Sequence, residues 1–115
     1  MWRCLFLLAL CLSTVSSIST QGSSLVLSEF LANNETGLKD EDGDPVDWIE
    51  VFNPTTNAVS LLNWSLTDSR GRLDKWSFPS TNLPAGAMLI VFVSEKNRRL
   101  PGAPLHTNFK LSDNG

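Results

Sequence analysis

The sequence predicts an all-β sandwich or barrel behind a short apolar leader. Three observations carry that prediction. From Leu25 onward, runs of four to six residues alternate apolar and polar side chains or are rich in β-branched and aromatic ones. Clusters of Asn, Pro and Gly separate those runs. No window longer than a few residues repeats with the 3.6-residue period of an amphipathic helix. At 115 residues the chain has room for one domain.

The leader comes first. Arg3 supplies a positive start, Leu5 to Leu12 is an unbroken apolar run, and Ser13, Thr14, Val15, Ser16 and Ser17 are small or short. This is the three-part pattern of a secretory signal peptide, assigned to residues 1–19. The run is too short for a membrane anchor, which needs about 20 apolar residues. A lipid anchor on Cys11 is disfavoured, because Leu10 stands where a small residue is needed. Cys4 and Cys11 are the two cysteines of the chain. Both leave with the leader, so the mature domain is expected to stand without disulfides or thiolate metal sites. Net charge is −3, and −4 once Arg3 is removed. An acidic balance disfavours binding nucleic acid or anionic lipid by bulk charge.

Residues 20–24 are a polar lead-in, and 25–115 form the domain. Leu25–Phe30 reads as the first strand and Trp48–Phe52 as the second. Asn53-Pro54-Thr55-Thr56-Asn57 is a turn by composition. Ala58–Leu62, Trp64–Asp68 and Lys75–Phe78 read as further strands, and Leu83-Pro84-Ala85-Gly86 as a β-turn. Met88–Val93 is continuously apolar and is expected to be a central strand buried on both faces. Thr107–Leu111 is expected to be the last strand. Asn114-Gly115 suits a hairpin turn whose returning strand is not in the sequence, so the chain is expected to lack its closing strands. Trp48, Trp64, Trp76, Phe52, Phe78 and Phe92 are expected to supply most of the core.

An ordered series of motifs then points to one family. Ser28-Glu29-Phe30-Leu31-Ala32-Asn33-Asn34 leads to Asp40-Glu41-Asp42-Gly43-Asp44 and to Asp47-Trp48-Ile49-Glu50-Val51-Phe52-Asn53-Pro54. Leu62–Asp68, Lys75–Pro79, Leu83–Gly86 and His106–Leu111 follow. In this order and spacing the chain resembles the lamin-tail domain, in its bacterial secreted form. The resemblance implies an immunoglobulin-like β-sandwich without catalytic residues, appended to exported proteins. It does not imply the nuclear filament role of lamins, since a heptad rod and a basic localisation cluster are missing from this sequence.

Candidate sites are few. Asp40, Glu41, Asp42, Asp44 and Asp47 crowd one loop, with Glu35 and Glu50 at its flanks. Ca²⁺ takes six to eight oxygens at roughly 2.3–2.6 Å, so Asp40, Asp42, Asp44 and Asp47 are candidate calcium ligands. The competing reading is a solvated acidic loop. An EF-hand is excluded, because Gly43 falls at the fourth position instead of the sixth and no Glu follows at the twelfth. His106 is the single histidine, with neither a nucleophile elbow nor a second metal-ligating histidine at helical spacing. It is expected to be a surface or packing residue. Arg70, Arg72 and Lys75 form one basic group and Lys96, Arg98 and Arg99 another, both expected to be solvated faces. Asn34-Glu35-Thr36 and Asn63-Trp64-Ser65 are valid glycosylation sequons, whereas Asn53-Pro54-Thr55 is blocked by its proline. On a bacterial source the valid pair are chance matches.

The functional expectation is a non-catalytic extracellular binding, adhesion or structural module of an exported bacterial protein. Its partner is a protein or a cell-surface or matrix component, and nucleic acid is disfavoured. The alternative is an accessory domain of a secreted hydrolase, nuclease or spore-coat-type kinase whose catalytic part lies beyond residue 115. No cofactor is expected apart from calcium, and no membrane span in the mature chain. The expected location is outside the cell or on its surface.

Overall fold

A computed structural model of the chain describes residues 9–12 and 25–111. These residues form nine strands and no helix: β1 (Ala9–Leu12), β2 (Val26–Leu31), β3 (Trp48–Phe52), β4 (Val59–Ser60), β5 (Trp64–Thr67), β6 (Trp76–Ser77), β7 (Asn82–Leu83), β8 (Met88–Phe92) and β9 (Leu105–His106). One sheet has the order β2-β3-β8-β9, antiparallel except for the parallel β8–β9 pair. A second has the order β1-β5-β6, and β4 pairs with β7. The architecture is an immunoglobulin-like β-sandwich.

Strand β3 shows how the sequence builds the sandwich. Successive side chains point to opposite faces of a strand. Ile49 and Val51 are fully buried and face the core, together with Val91 of β8 and Leu66 of β5. Leu61, Trp64, Trp76, Phe78, Leu83 and Phe109 close that core, with the Trp76 and Phe78 rings packed edge to face at 5.0 Å. Trp48, Glu50 and Phe52 point the other way.

That alternation corrects the expected core. Trp64, Trp76 and Phe78 are inside, but Trp48 and Phe52 are half-buried on the outer face of the four-stranded sheet. Phe92 is buried, yet it lies outside the core cluster, stacked on His106. The physical reason is parity. Trp48 and Phe52 share a face with Glu50, and turning them inward would bury that carboxylate. Strand β8 is central, but it is not buried on both faces. Met88 is 58% exposed, and Leu89 and Ile90 are half-buried.

Two expected strands are shorter than read. Ala58–Leu62 contributes only Val59–Ser60. In place of Thr107–Leu111, the last described strand is Leu105–His106, and Lys110 meets Ser94 in a single bridge. The Thr107 hydroxyl donates to the Phe109 carbonyl at 2.7 Å, a local bond that competes with a strand ladder.

Residues 9–12, from the apolar run of the leader, pair with β5 from Ala9↔Thr67 to Leu12↔Trp64. The remainder of residues 1–19, the lead-in 20–24 and the Asn114-Gly115 turn lie outside the described residues.

Candidate functional site

The acidic loop is organised by one of its own carboxylates. Asp40 Oδ1 accepts the backbone N–H groups of Asp42 and Asp44, both at 3.0 Å. The Asp40 N–H donates to the Asp44 carbonyl, and the Gly43 N–H donates to the Asp40 carbonyl, both at 2.9 Å. Gly43 turns the chain at φ +85°, a region that disfavours any side chain with a Cβ. The Asp40 side chain is fully buried by this arrangement.

A cation sits among the remaining oxygens, and it is the protein's own. Lys96 Nζ donates to Asp40 Oδ2, and to Asp42 Oδ2 and Asp44 Oδ2 at 2.8 Å each. An ammonium has three hydrogens, and three carboxylates receive them. Arg98 adds a second layer, with Nη1 on Glu41 Oε1 at 2.6 Å and Nη2 on Asp42 Oδ2 at 2.7 Å. The segment bearing Lys96 and Arg98 is held by its backbone. Asn97 N–H donates to the Thr107 carbonyl at 2.9 Å, and Arg98 and His106 exchange a pair of bonds at 3.0 Å.

Titration follows this geometry. Burial pushes the Asp40 carboxyl up, but the Lys96 ammonium and the Asp44 and Asp42 N–H groups outweigh it and hold it below its ordinary range. Glu41 is likewise raised by burial and lowered further by its own N–H, His106 and Arg98. Asp42, gripped by Arg98 and Lys96, is lowered from 3.8 to about 2. The same bonds raise Lys96, chiefly through Asp40, and Arg98, chiefly through Asp42.

His106 ties this loop to the sheet. It is fully buried, with its ring 5.1 Å from that of Phe92 at 29°. Ser94 Oγ lies 2.7 Å from Nδ1, and Glu41 Oε2 lies 2.8 Å from Nε2. An ionised carboxylate only accepts, so Nε2 carries a hydrogen toward Glu41. Ser94 Oγ also accepts the Lys96 N–H at 3.2 Å, and Ser94 borders a cavity of about 170 Å³ with Asp47 and Lys110. In composition the series is hydroxyl, imidazole, carboxylate. In place, it is a buried brace between β8, β9 and the loop.

Of the four candidate calcium ligands, the structure brings together Asp40, Asp42 and Asp44, around Lys96. Asp47 is elsewhere, with Oδ1 accepting the Asn34 N–H at 2.9 Å. Two groups have ligand atoms close enough for one metal ion, Asp40–Asp42–Asp44 and Asp40–Glu41–His106, each within 4.8 Å. Both include carboxylates that Lys96 or Arg98 engages. Sequence reasoning missed Lys96, Arg98, Ser94 and His106 as partners of the loop. The available signal was the matched alternation of Lys96-x-Arg98 and Asp40-x-Asp42-x-Asp44, opposite charges at the same spacing.

The basic groups part company. Lys96 and Arg98 belong to this cluster, and Arg99 Nε donates to the Ser77 carbonyl at 2.7 Å. Lys75 pairs with Asp68 at 2.7 Å and stands 5.0 Å above the Phe109 ring. Arg70 and Arg72 are exposed.

The family model for the lamin tail domain matches residues 18–115. This chain belongs to the lamin tail domain family. No curated protein and no solved structure matches it. Lamin tail domains are immunoglobulin-like and non-catalytic as a family, which fits a Ser94–His106–Glu41 series built as a brace. Among the described residues, no helix is long and apolar enough to cross a membrane.

Proposed function

We propose that this lamin tail domain is an exported, non-catalytic module that binds a protein on a cell surface or in the matrix through the outer face of its four-stranded sheet. The observation that supports this reading is one register row. Val26 stands opposite Phe52, and Phe52 opposite Met88, so the three side chains share the face turned away from the core. Val26 is 44% exposed and Met88 58%. Apolar side chains lined up across three strands make a rigid contact surface, whereas the charges of the acidic loop are already engaged by Lys96 and Arg98. The reading needs no cofactor. Export rests on the leader pattern of residues 1–19.

The test uses the secreted product of the full chain. Its N-terminal sequence is expected to begin near Thr20. Binding to intact cell surfaces and to immobilised matrix proteins is expected to weaken about tenfold in M88E, a loss typical of one interface side chain, with the melting temperature unchanged. Equal binding by M88E and wild type overturns the contact face. Hydrolysis of an activated ester that is abolished in S94A overturns the non-catalytic reading.

A further inference from the structure

Two sequons are present, and their asparagines differ in exposure. Asn34 is 8% exposed, and its side chain is fully engaged. Nδ2 donates to the Leu38 carbonyl at 2.7 Å and the Val46 carbonyl at 2.9 Å, while Oδ1 accepts the Gly37 N–H at 2.8 Å. These bonds close the loop that leads into the acidic cluster. A sugar on Nδ2 replaces one of the two donated hydrogens, so a chain that carries one there does not close this loop and is not expected in the folded, secreted product.

Asn63 is exposed at a turn. The Trp64 N–H donates to the Leu61 carbonyl at 3.0 Å, and Asn63 has φ +71°. This is the third residue of a type II β-turn, where Asn is favoured after Gly. Leu62 beside it is 52% exposed, so the turn projects from the sandwich. The third sequon residue, Ser65, is fully buried and donates to the Leu73 carbonyl at 2.9 Å. A transferase that reads this hydroxyl therefore acts before β5 pairs. Once β5 forms, a sugar already on Asn63 stays outside the fold.

We propose that Asn63 is an N-glycan acceptor and that Asn34 is not one in the folded, secreted protein. The inference rests on the export part of the proposed function and not on its binding face. It applies to any export membrane carrying an oligosaccharyl transferase and a lipid-diphosphate-linked oligosaccharide. Asn63 Nδ2 attacks the anomeric carbon of that donor. The carbon–nitrogen bond forms as the carbon–oxygen bond to the diphosphate breaks. The lipid diphosphate departs with the electron pair, and one amide proton is released.

The full chain is expressed in eukaryotic secretory cells behind its own leader and, in parallel, behind an unrelated cleavable leader. The secreted product is expected to be heavier by one glycan. Glycosidase release in ¹⁸O-labelled water should convert Asn63, and not Asn34, to labelled aspartate. N63G keeps the left-handed turn and is expected to be secreted without the glycan. A secreted product with no glycan, or with its label on Asn34, overturns the proposal. If the natural leader fails and the unrelated one yields protein labelled at Asn63, the export reading falls and the glycan site stands.

Discussion

The outer face of the four-stranded sheet has two halves built from similar side chains and finished differently. At one end, Trp48, Phe92 and His106 lie in register, and the 40–44 loop reaches the histidine through Glu41. At the other end, Val26, Phe52 and Met88 have no such cover among the described residues, and two of them are largely exposed. The covered end is closed by charges, which would ordinarily mark a site for an external ion. Here each charge has an internal partner. The acidic loop is thus part of how the domain holds together, and the bare end is the face on which the proposed contact lies.

The largest expected effect comes from breaking the covered half at its centre. H106A removes a fully buried ring, leaves Ser94 and Glu41 without their shared partner and uncovers one face of Phe92. It is expected to cost about 3 kcal/mol in urea denaturation, as cavity and unpaired polar groups add. A loss near that of an ordinary surface substitution would mean that loop and sheet are not joined through this ring.

K96M is next. It leaves the buried Asp40 carboxylate without its cation and is expected to cost about 2 kcal/mol. That is less than a fully buried pair, since the lysine side chain is 21% exposed. The variant also tests calcium. With Lys96 removed, Asp40, Asp42 and Asp44 converge on an open position, so millimolar Ca²⁺ is expected to raise the melting temperature of K96M more than that of wild type. Equal shifts in the two proteins would place calcium away from these three carboxylates.

The same cluster sets the acid limit. Asp42 titrates at about 2 in the fold against 3.8 ordinarily. A depressed carboxyl contributes its stability in full above its unfolded value, and that contribution is lost as pH falls toward the folded one. Asp40 and Glu41 act in the same direction. Tryptophan fluorescence is expected to stay native above pH 3.8 and to report loosening between there and about 2. K96M is expected to loosen at a higher pH. Identical profiles would show that Lys96 does not hold the loop.

These tests also mark what was legible in the sequence. Strands β2, β3, β5, β6 and β8 could be read from alternation and composition, because that signal is local. The ordered motifs gave the family and hence the sandwich. The partnership of 40–44 with 96–98 was legible only as opposite charges at matched spacing, since more than fifty residues separate the two segments and a run of charge looks solvated until its partner is placed. The outward turn of Trp48 and Phe52 was recoverable. Glu50 shares their parity, and weighing its carboxylate against two aromatics would have set the face. His106 was read as a surface or packing residue, and nothing local distinguishes a histidine braced on both nitrogens from one that merely packs.

The smallest expected effect sharpens the comparison from the bare half. The β2–β3 register shifts between Leu27 and Glu29, and Glu29 stands opposite Glu50. Like charges facing each other across a pair of strands destabilise it. Such a cost is tolerable on an edge strand, where a bulge and a charge discourage pairing with another chain. E29K turns repulsion into attraction and is expected to stabilise the domain by about 0.3 kcal/mol. The gain stays small because Ser28 already donates to Glu50 Oε1 at 2.7 Å, so the lysine competes with an existing partner. High salt should erase it, since both side chains are reached by solvent. A gain that persists in high salt would mean that β2 had repacked, and the two halves of the face would then not be independent.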